Sequence, residues 1–326
     1  ALRADPGLAA QAVEEVLRAR AVGLNALLHG AKGHALEPVK NPPAVQMFVP
    51  GFTAEELPVK IGNLNNVRYR HDGKLVGQGY DGRIYLLSDA DGDGLEEKVE
   101  MFWEKPTLRA PIGIALTGED DPRGNGVFVA SRGKISLVID YDRDDRADEE
   151  LILATGWPEP FHSVDTLGLA VDARDQSIYF GVGCANFVDA YQIDKNTGRS
   201  QYRLDDFRGT IQRISPDLSS RETISTGVRF TCALALNHLG DLFATDQEGA
   251  TWLPNGNPFD ELLHIERGQH YGFPPRHPKH LPGVRDIPAV VEYGPQHQST
   301  VGLVFNEGVN GGPHFGPEHW QHDAII

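Results

Sequence analysis

One pattern recurs along this chain, and it constrains the fold more than any other feature. A short apolar run is followed, after a turn, by a second strand-like run. Ile112–Leu116 precedes Gly126–Ala130, Leu167–Val171 precedes Ser177–Gly181, and Ala233–Leu236 precedes Asp241–Thr245. Val301–Phe305 opens a further copy, and Asn66–Arg70 with Lys74–Val76 is a weaker first one. The copies start roughly 45–70 residues apart, the period of units that bury their faces only by stacking on a neighbour.

Between these copies the pattern stays strand-like. Leu75–Gln78, Arg83–Leu87, Lys134–Ile139 and Thr210–Ile214 are short alternating or apolar runs bounded by Gly, Asp, Asn and Pro. No helical period of comparable strength intervenes, whereas a parallel βαβ sheet needs one at each crossover. The expectation is an all-β propeller of four-stranded sheets packed radially. The WD and kelch signatures are absent, and a β-sandwich is the alternative. The one convincing helix lies earlier, at residues 6–29, where Leu8, Ala12, Val16 and Leu27 recur at helical spacing and Gly30 ends the run. Residues 31–50 carry Gly33, Pro38, Pro42, Pro43 and Pro50 and read as a linker. The expected domains are therefore 1–50, a helical segment and linker, and 51–326, the propeller.

Composition narrows the partners. With 30 Lys and Arg against 46 Asp and Glu, the net charge is −16. That argues against a nucleic-acid partner, which needs clustered cations, and favours cations near the surface. No apolar run reaches the length of a membrane span. No basic-then-apolar leader opens the chain, so any leader is expected upstream. Cys184 and Cys232 are the only cysteines, too few for a disulfide framework, a four-cysteine zinc site or an attached haem.

Two acidic loops carry the strongest chemical signal. Asp89, Asp91 and Asp93 occupy alternate positions, Gly94 follows at the sharp turn, and Glu100 stands twelfth. This is the pattern of a calcium loop, because a hard cation takes six to eight oxygens and alternate acidic residues on a tight turn point inward together. The flanks read as strands, which places the loop in a β-hairpin, where Glu97 is the alternative to Glu100. A second copy holds Asp140, Asp142, Asp144 and Asp148, with Asp145 in place of the glycine.

The histidines are less specific. His277 and His280 have pair spacing, but nothing nearby completes a zinc set. His162 directly precedes the repeat at residues 164–171. Arg229 stands before the next repeat, and His297, beside Gln296, before the one after. Segments that enter the innermost strands line one mouth of a propeller's axial channel. A histidine there has the chemistry of a general base near neutral pH.

These residues carry a resemblance. The segment Asp260–Pro274, with its Asp-Glu-Leu-Leu opening and its His-Tyr-Gly-Phe-Pro ending, and Gly227–Phe230 followed by Ala233–Leu236 are similar to motifs of the glucose/sorbosone dehydrogenase propellers that use pyrroloquinoline quinone (PQQ). The chain from Phe52 to about Asp323 resembles that family, and most closely a branch of large membrane-bound dehydrogenases of planctomycete-type bacteria, often fused to cytochrome c domains. The resemblance implies a six-bladed propeller, a sugar or alcohol substrate, PQQ and calcium as cofactors, a cytochrome c domain or other electron acceptor as partner, and a periplasmic or extracellular location. It implies that His162 is the catalytic base, that Arg229, His297 and Gln296 contact the quinone, and that Glu261 and Tyr271 lie in the segment that holds calcium. Phe161 and Phe230 stand where the family has Asp and Asn. Only about five repeats are legible against six blades, so the propeller is expected to be incomplete at its C-terminal end. A non-catalytic, calcium-stabilised docking module and a calcium-dependent lactonase-type hydrolase are the alternative functions for such a fold.

Overall fold

The structure, a computed structural model, describes residues 55–159, 165–184, 193–199, 203–248, 259–274, 283–294, 298–308 and 312–326. The chain divides into two compact units, Ala1–Pro58 with Ile326, and Val59–Ile325. The helix expected at residues 6–29 and the linker at 31–50 lie outside the described residues. Among the described residues the second unit is all-β apart from a 3-10 turn at Glu318–Trp320.

Four antiparallel sheets follow one another along the chain. The first contains β1 (Leu64–Tyr69), β2 (Leu75–Gly79), β3 (Ile84–Ser88) and β4 (Lys98–Trp103). The second contains β5 (Gly113–Leu116), β6 (Asn125–Ser131), β7 (Lys134–Asp140) and β8 (Glu149–Thr155). The third contains β9 (Thr166–Val171), β10 (Ile178–Val182), β11 (Thr210–Ile214) and β12 (Arg221–Thr226). The fourth contains β13 (Thr231–Leu236), β14 (Leu242–Asp246), β15 (Asp260–Ile265) and β16 (Val291–Tyr293). Each is a meander in which sequential strands pair. A two-stranded sheet, β17 (Val304–Phe305) with β18 (Ala324–Ile325), follows. The first strands, β1, β5, β9, β13 and β17, contact one another in succession, which is the arrangement of blades around a propeller axis.

The blade count corrects one expectation. Instead of six blades, the described residues form four complete ones and a short sheet in the place of a fifth. The physical reason is that each blade needs its own copy of the strand-pair pattern, and five copies are legible.

The repeated glycines explain why the inner strands share one motif. A Cβ at Gly113 would lie 2.0 Å from the Leu167 carbonyl oxygen of the next inner strand. A Cβ at Gly168 would lie 2.4 Å from Leu234 Cδ1 and 2.8 Å from the Ala233 carbonyl carbon. Neighbouring blades approach there more closely than any side chain allows.

The core sits between blades. Val76, Ile84 and Leu86 of the first pack on Ile114, Val129 and Val138 of the second. Phe128, Ile135 and Leu137 of the second meet Leu169, Ile178 and Phe180 of the third. Ile211 and Ile224 of the third meet Leu234, Leu242 and Leu263 of the fourth. A central strand thus has neighbours on both faces, which is why β7 is a near-continuous apolar run instead of an alternating one. The inner strands enclose a cavity of about 590 Å³, walled by Ile114, Leu169, Leu234 and Leu303 and rimmed by polar residues that include His238 and Glu307.

Candidate functional site

The two acidic loops occupy the same place in consecutive blades. The first joins β3 to β4 and the second joins β7 to β8. Their backbones match at a shift of 51 residues. Gly92 and Gly94 have φ of 83° and 92°, and Arg143 and Asp145 have φ of 62° and 72°. Asp89 accepts the Gly94 amide as Asp140 accepts the Asp145 amide. Glu97 accepts the Ala90 amide as Asp148 accepts that of Tyr141. Glycine at 92 and 94 makes the left-handed turns at no steric cost, whereas the second loop holds non-glycine residues there. Asp145 is fixed by the carboxylate contacts it makes to Arg70 and Lys74, which reach across from the first blade.

Ligand geometry follows from these turns. Oxygens of Asp89, Asp91, Asp93 and Glu97 all lie within 4.8 Å of one another, as do those of Asp140, Asp142 and Asp144. Glu97 Oε2 is buried and meets no hydrogen-bond donor. Four convergent carboxylates, one of them with an unsatisfied buried oxygen, fit a hard divalent cation. Glu100 lies outside this cluster, on β4, where it pairs with Lys98 at 2.9 Å. Backbone amides of Gly94 and Gly92 hold the Asp89 carboxyl below its ordinary value, whereas burial raises that of Asp140.

A second constellation stands where the chain enters β13. Arg229 is buried, its amide donates to Asp246 Oδ2 at 2.8 Å, and its guanidinium donates to the Gln247 carbonyl at 2.7 Å. Asp246 Oδ1 takes the Phe230 amide at 2.7 Å. Asp260, the first residue of β15, accepts the amides of Glu248, Gln298 and Ser299. Antiparallel register brings the end of β14 and the start of β15 together, with Asp246 opposite Glu261. Burial, reinforced by the neighbouring Asp246, raises the Glu248 carboxyl well above its ordinary value and pushes Glu261 up to about 8. Burial raises Asp246 too, against the amides of Arg229 and Phe230. Asp246 and Glu248 stand near the Arg229 guanidinium with Glu261 beside them, and the burial of these three carboxyls leaves negative charge that either stays protonated or awaits a cation.

The other expected residues fall as follows. His162, Gln296 and His297 lie outside the described residues, as do His277 and His280. Tyr271 packs in the core, where its hydroxyl donates to the His264 carbonyl and accepts the Glu266 amide. It therefore meets β15 at the end opposite Glu261, about 13 Å away along the strand. Cys184 and Cys232 are buried, and neither forms a disulfide. Sequence reasoning missed Asp246, Glu248 and Asp260 as a group. Charged residues at the ends of apolar strands were the available signal.

Sequence reasoning also missed the pair that flanks the His162 segment. Asp165 is fully buried at the start of β9. It accepts the Gly133 amide at 2.7 Å and Trp157 Nε1 at 2.9 Å, and it forms an ion pair with Arg208. Arg208 Nε also donates to the Pro158 carbonyl at 2.9 Å. One guanidinium therefore ties down residues on both sides of positions 159–164.

A family model described as a domain of unknown function (DUF7133) matches residues 64–291. No curated protein matches the sequence. Among solved structures, the chain is similar to a calcium structure of a Trichoderma reesei protein of carbohydrate-active enzyme family AA12, at 13% identity and a TM-score of 0.52, over 67% of this chain and 57% of that one. It is similar to the PQQ-bound form of an aldose sugar dehydrogenase from Streptomyces coelicolor, at 20% identity and a TM-score of 0.50, over 72% and 69%. It is also similar to a glucose dehydrogenase, at 16% identity and a TM-score of 0.51, over 80% of each chain. The chain spans 54–57% of the length of the first structures it matches. At these identities the likeness shows the β-propeller fold.

Proposed function

The chain belongs to the DUF7133 family, and from that premise we propose that its propeller is a quinone-dependent oxidoreductase acting on a sugar or an alcohol. The observation that carries the reading is the buried Arg229 near Asp246 and Glu248, with Glu261 paired across the strands from Asp246, at the entry to an inner strand. A planar guanidinium recognises the carboxylates of a quinone such as PQQ in bidentate fashion, and the excess carboxyls offer oxygens to a divalent cation. Solved structures of like fold include a PQQ-bound aldose sugar dehydrogenase and a calcium structure, which is consistent with both cofactors.

In this reading Arg229, Gln296 and His297 hold the quinone, and His162 takes the proton of the substrate hydroxyl. The quinone, when bound, supplies a two-electron acceptor. Glu261 belongs to the calcium site near the quinone, whereas Tyr271, at the far end of β15, stands outside it. Asp89, Asp91, Asp93 and Glu97, without Glu100, form one outer calcium site, and Asp140, Asp142 and Asp144 with Asp148 form another. Electrons leave to a cytochrome c domain or another acceptor, and the setting is periplasmic or extracellular. Among the described residues, no helix is long and apolar enough to cross a membrane.

Titration with PQQ and calcium is expected to change the quinone absorbance saturably, and the loaded protein is expected to reduce a dye with an aldose or alcohol. His162→Gln should lose most turnover while keeping quinone affinity, and Arg229→Ala should weaken quinone binding. If no absorbance change occurs at any calcium level, the oxidoreductase reading fails and the propeller is a docking module.

Calcium is also expected to stabilise the fold by mass action. At one hundred times its dissociation constant, one site adds about 2.7 kcal/mol. Asp89→Ala with Asp93→Ala should remove the contribution of the first loop. Equal melting temperatures in calcium and in chelator would refute the outer sites.

A further inference from the structure

We propose that His238, Glu307 and His322 form a site for a transition-metal ion of the zinc class, at the rim of the axial cavity, that fastens the fourth blade to the β17–β18 sheet. His238 lies in the turn between β13 and β14, whereas Glu307 follows β17 and His322 precedes β18. The ion would therefore bridge two sheets that otherwise meet through short strands.

Distances favour a shared ion over a direct ion pair. Glu307 Oε1 is 3.7 Å from His238 Nδ1 and 3.4 Å from His322 Nδ1. A charge-assisted hydrogen bond between such groups closes to about 2.7–2.9 Å. Donors bound to one tetrahedral zinc at about 2.0–2.1 Å stand about 3.3 Å from each other. Ligand atoms of all three residues lie within 4.8 Å of one another. The two rings are 3.9 Å apart between centroids at an interplanar angle of 31°. Stacked in this way, the rings do not yet aim their donors at one point, and seating the ion takes a turn of one half-exposed imidazole about its χ2.

The backbone holds each ligand in place. Asn306 is buried, and its side chain bonds the Phe315 amide and the carbonyls of Phe315 and Trp320. Its own amide donates to the Asp323 carbonyl, and its carbonyl accepts the His322 amide. His322 is thereby kept beside Glu307 in a left-handed conformation, at φ 68°, a region that a residue with a side chain occupies at a cost. Asn237 Oδ1 takes the amides of Leu239 and Asp241 and fixes the turn that carries His238.

The donor set selects the metal. Two imidazole nitrogens with one carboxylate suit zinc and its neighbours, whereas calcium prefers oxygen alone. Three protein ligands leave a position for water or an anionic ligand. His238 and Glu307 both line the cavity, which puts the site at its rim.

The test is zinc titration of the full chain by calorimetry with calcium in excess, so that oxygen-only sites are filled. One equivalent of zinc is expected to bind and to raise the melting temperature. His238→Ala and His322→Ala should each weaken binding by more than about tenfold, since loss of an outer-shell partner alone costs that much. His264→Ala, a control at a half-buried histidine of β15, should leave it unchanged. Cobalt in the unaltered protein should give the intense visible bands of a four-coordinate site, a readout that needs no variant to fold. Absence of zinc binding, zinc retained in the double alanine variant, or a weak six-coordinate cobalt spectrum would each overturn the proposal.

Discussion

Arg208→Ala is expected to destabilise the propeller by about 3–5 kcal/mol, the cost of leaving one partner of a buried ion pair alone. Asp165 is fully buried, and Arg208 is nearly so. Removing the guanidinium strands a carboxylate that no water reaches, and it also frees the Pro158 carbonyl. For a unit of this size each kcal/mol moves the melting temperature by about 2–4 °C, so thermal unfolding should begin roughly ten degrees earlier. The companion variant Arg208→Met with Asp165→Asn should recover much of the loss. Asparagine is neutral, and its oxygen still accepts from the Gly133 amide and from Trp157 Nε1. A loss below about 1 kcal/mol for Arg208→Ala would show that the pair is not needed. The same guanidinium anchors Pro158 and Asp165, on either side of the segment that contains His162, so any dehydrogenase activity should fall in parallel with the local anchoring.

Those two residues were illegible in the sequence for a physical reason. They are 43 positions apart, and only the meander of the third blade brings them together. The same holds for His238, Glu307 and His322, which no spacing rule connects. The acidic loops were legible because all their ligands fall within one turn, where backbone geometry alone makes them converge. Among strands, the inner ones announced themselves through a repeated short apolar run, which in β5 and β9 is the Gly-x-Ala that close blade packing there requires. The outer strands β8 and β12 did not. Glu149–Thr155 and Arg221–Thr226 face solvent along much of their length, so polar and apolar residues mix in them and their alternation is weak. Asp246 and Glu248 looked like ordinary strand ends, and Glu261 stood out only through the family resemblance, since nothing local reveals that antiparallel register seats Asp246 opposite Glu261.

The final expectation is that the calcium-free protein loses stability as pH rises from about 5 to 8. The Glu261 carboxyl is pushed up to about 8 in the fold by burial and by Asp246, whereas in the unfolded chain it ionises near its ordinary value of about 4.3. Between those values the folded state holds a proton that the unfolded state has released. The unfolded state therefore binds fewer protons, and the unfolding free energy falls with rising pH. The contribution is fully present below the unfolded value, declines across the window and is gone above about 8. Its full size is a few kcal/mol, and Glu248 and Asp246 add to it in the same direction. Carboxyls held low by their partners act oppositely and in a separate window. Glu222 beside Arg267 and Asp72 beside Arg70, both near 2, lose their contribution only as pH falls below about 4. Stability should thus peak near pH 5, measured as denaturant midpoints across pH in chelator. Glu261→Gln keeps the shape without the charge, and it should match the parent at pH 5, exceed it at pH 8 and flatten the slope between. An unchanged slope in that variant would show that Glu261 does not hold the proton. Calcium separates the two classes of site. An ion seated among the buried carboxyls favours their ionised form and removes the slope, whereas an ion confined to the outer loops raises stability at every pH and leaves the slope in place.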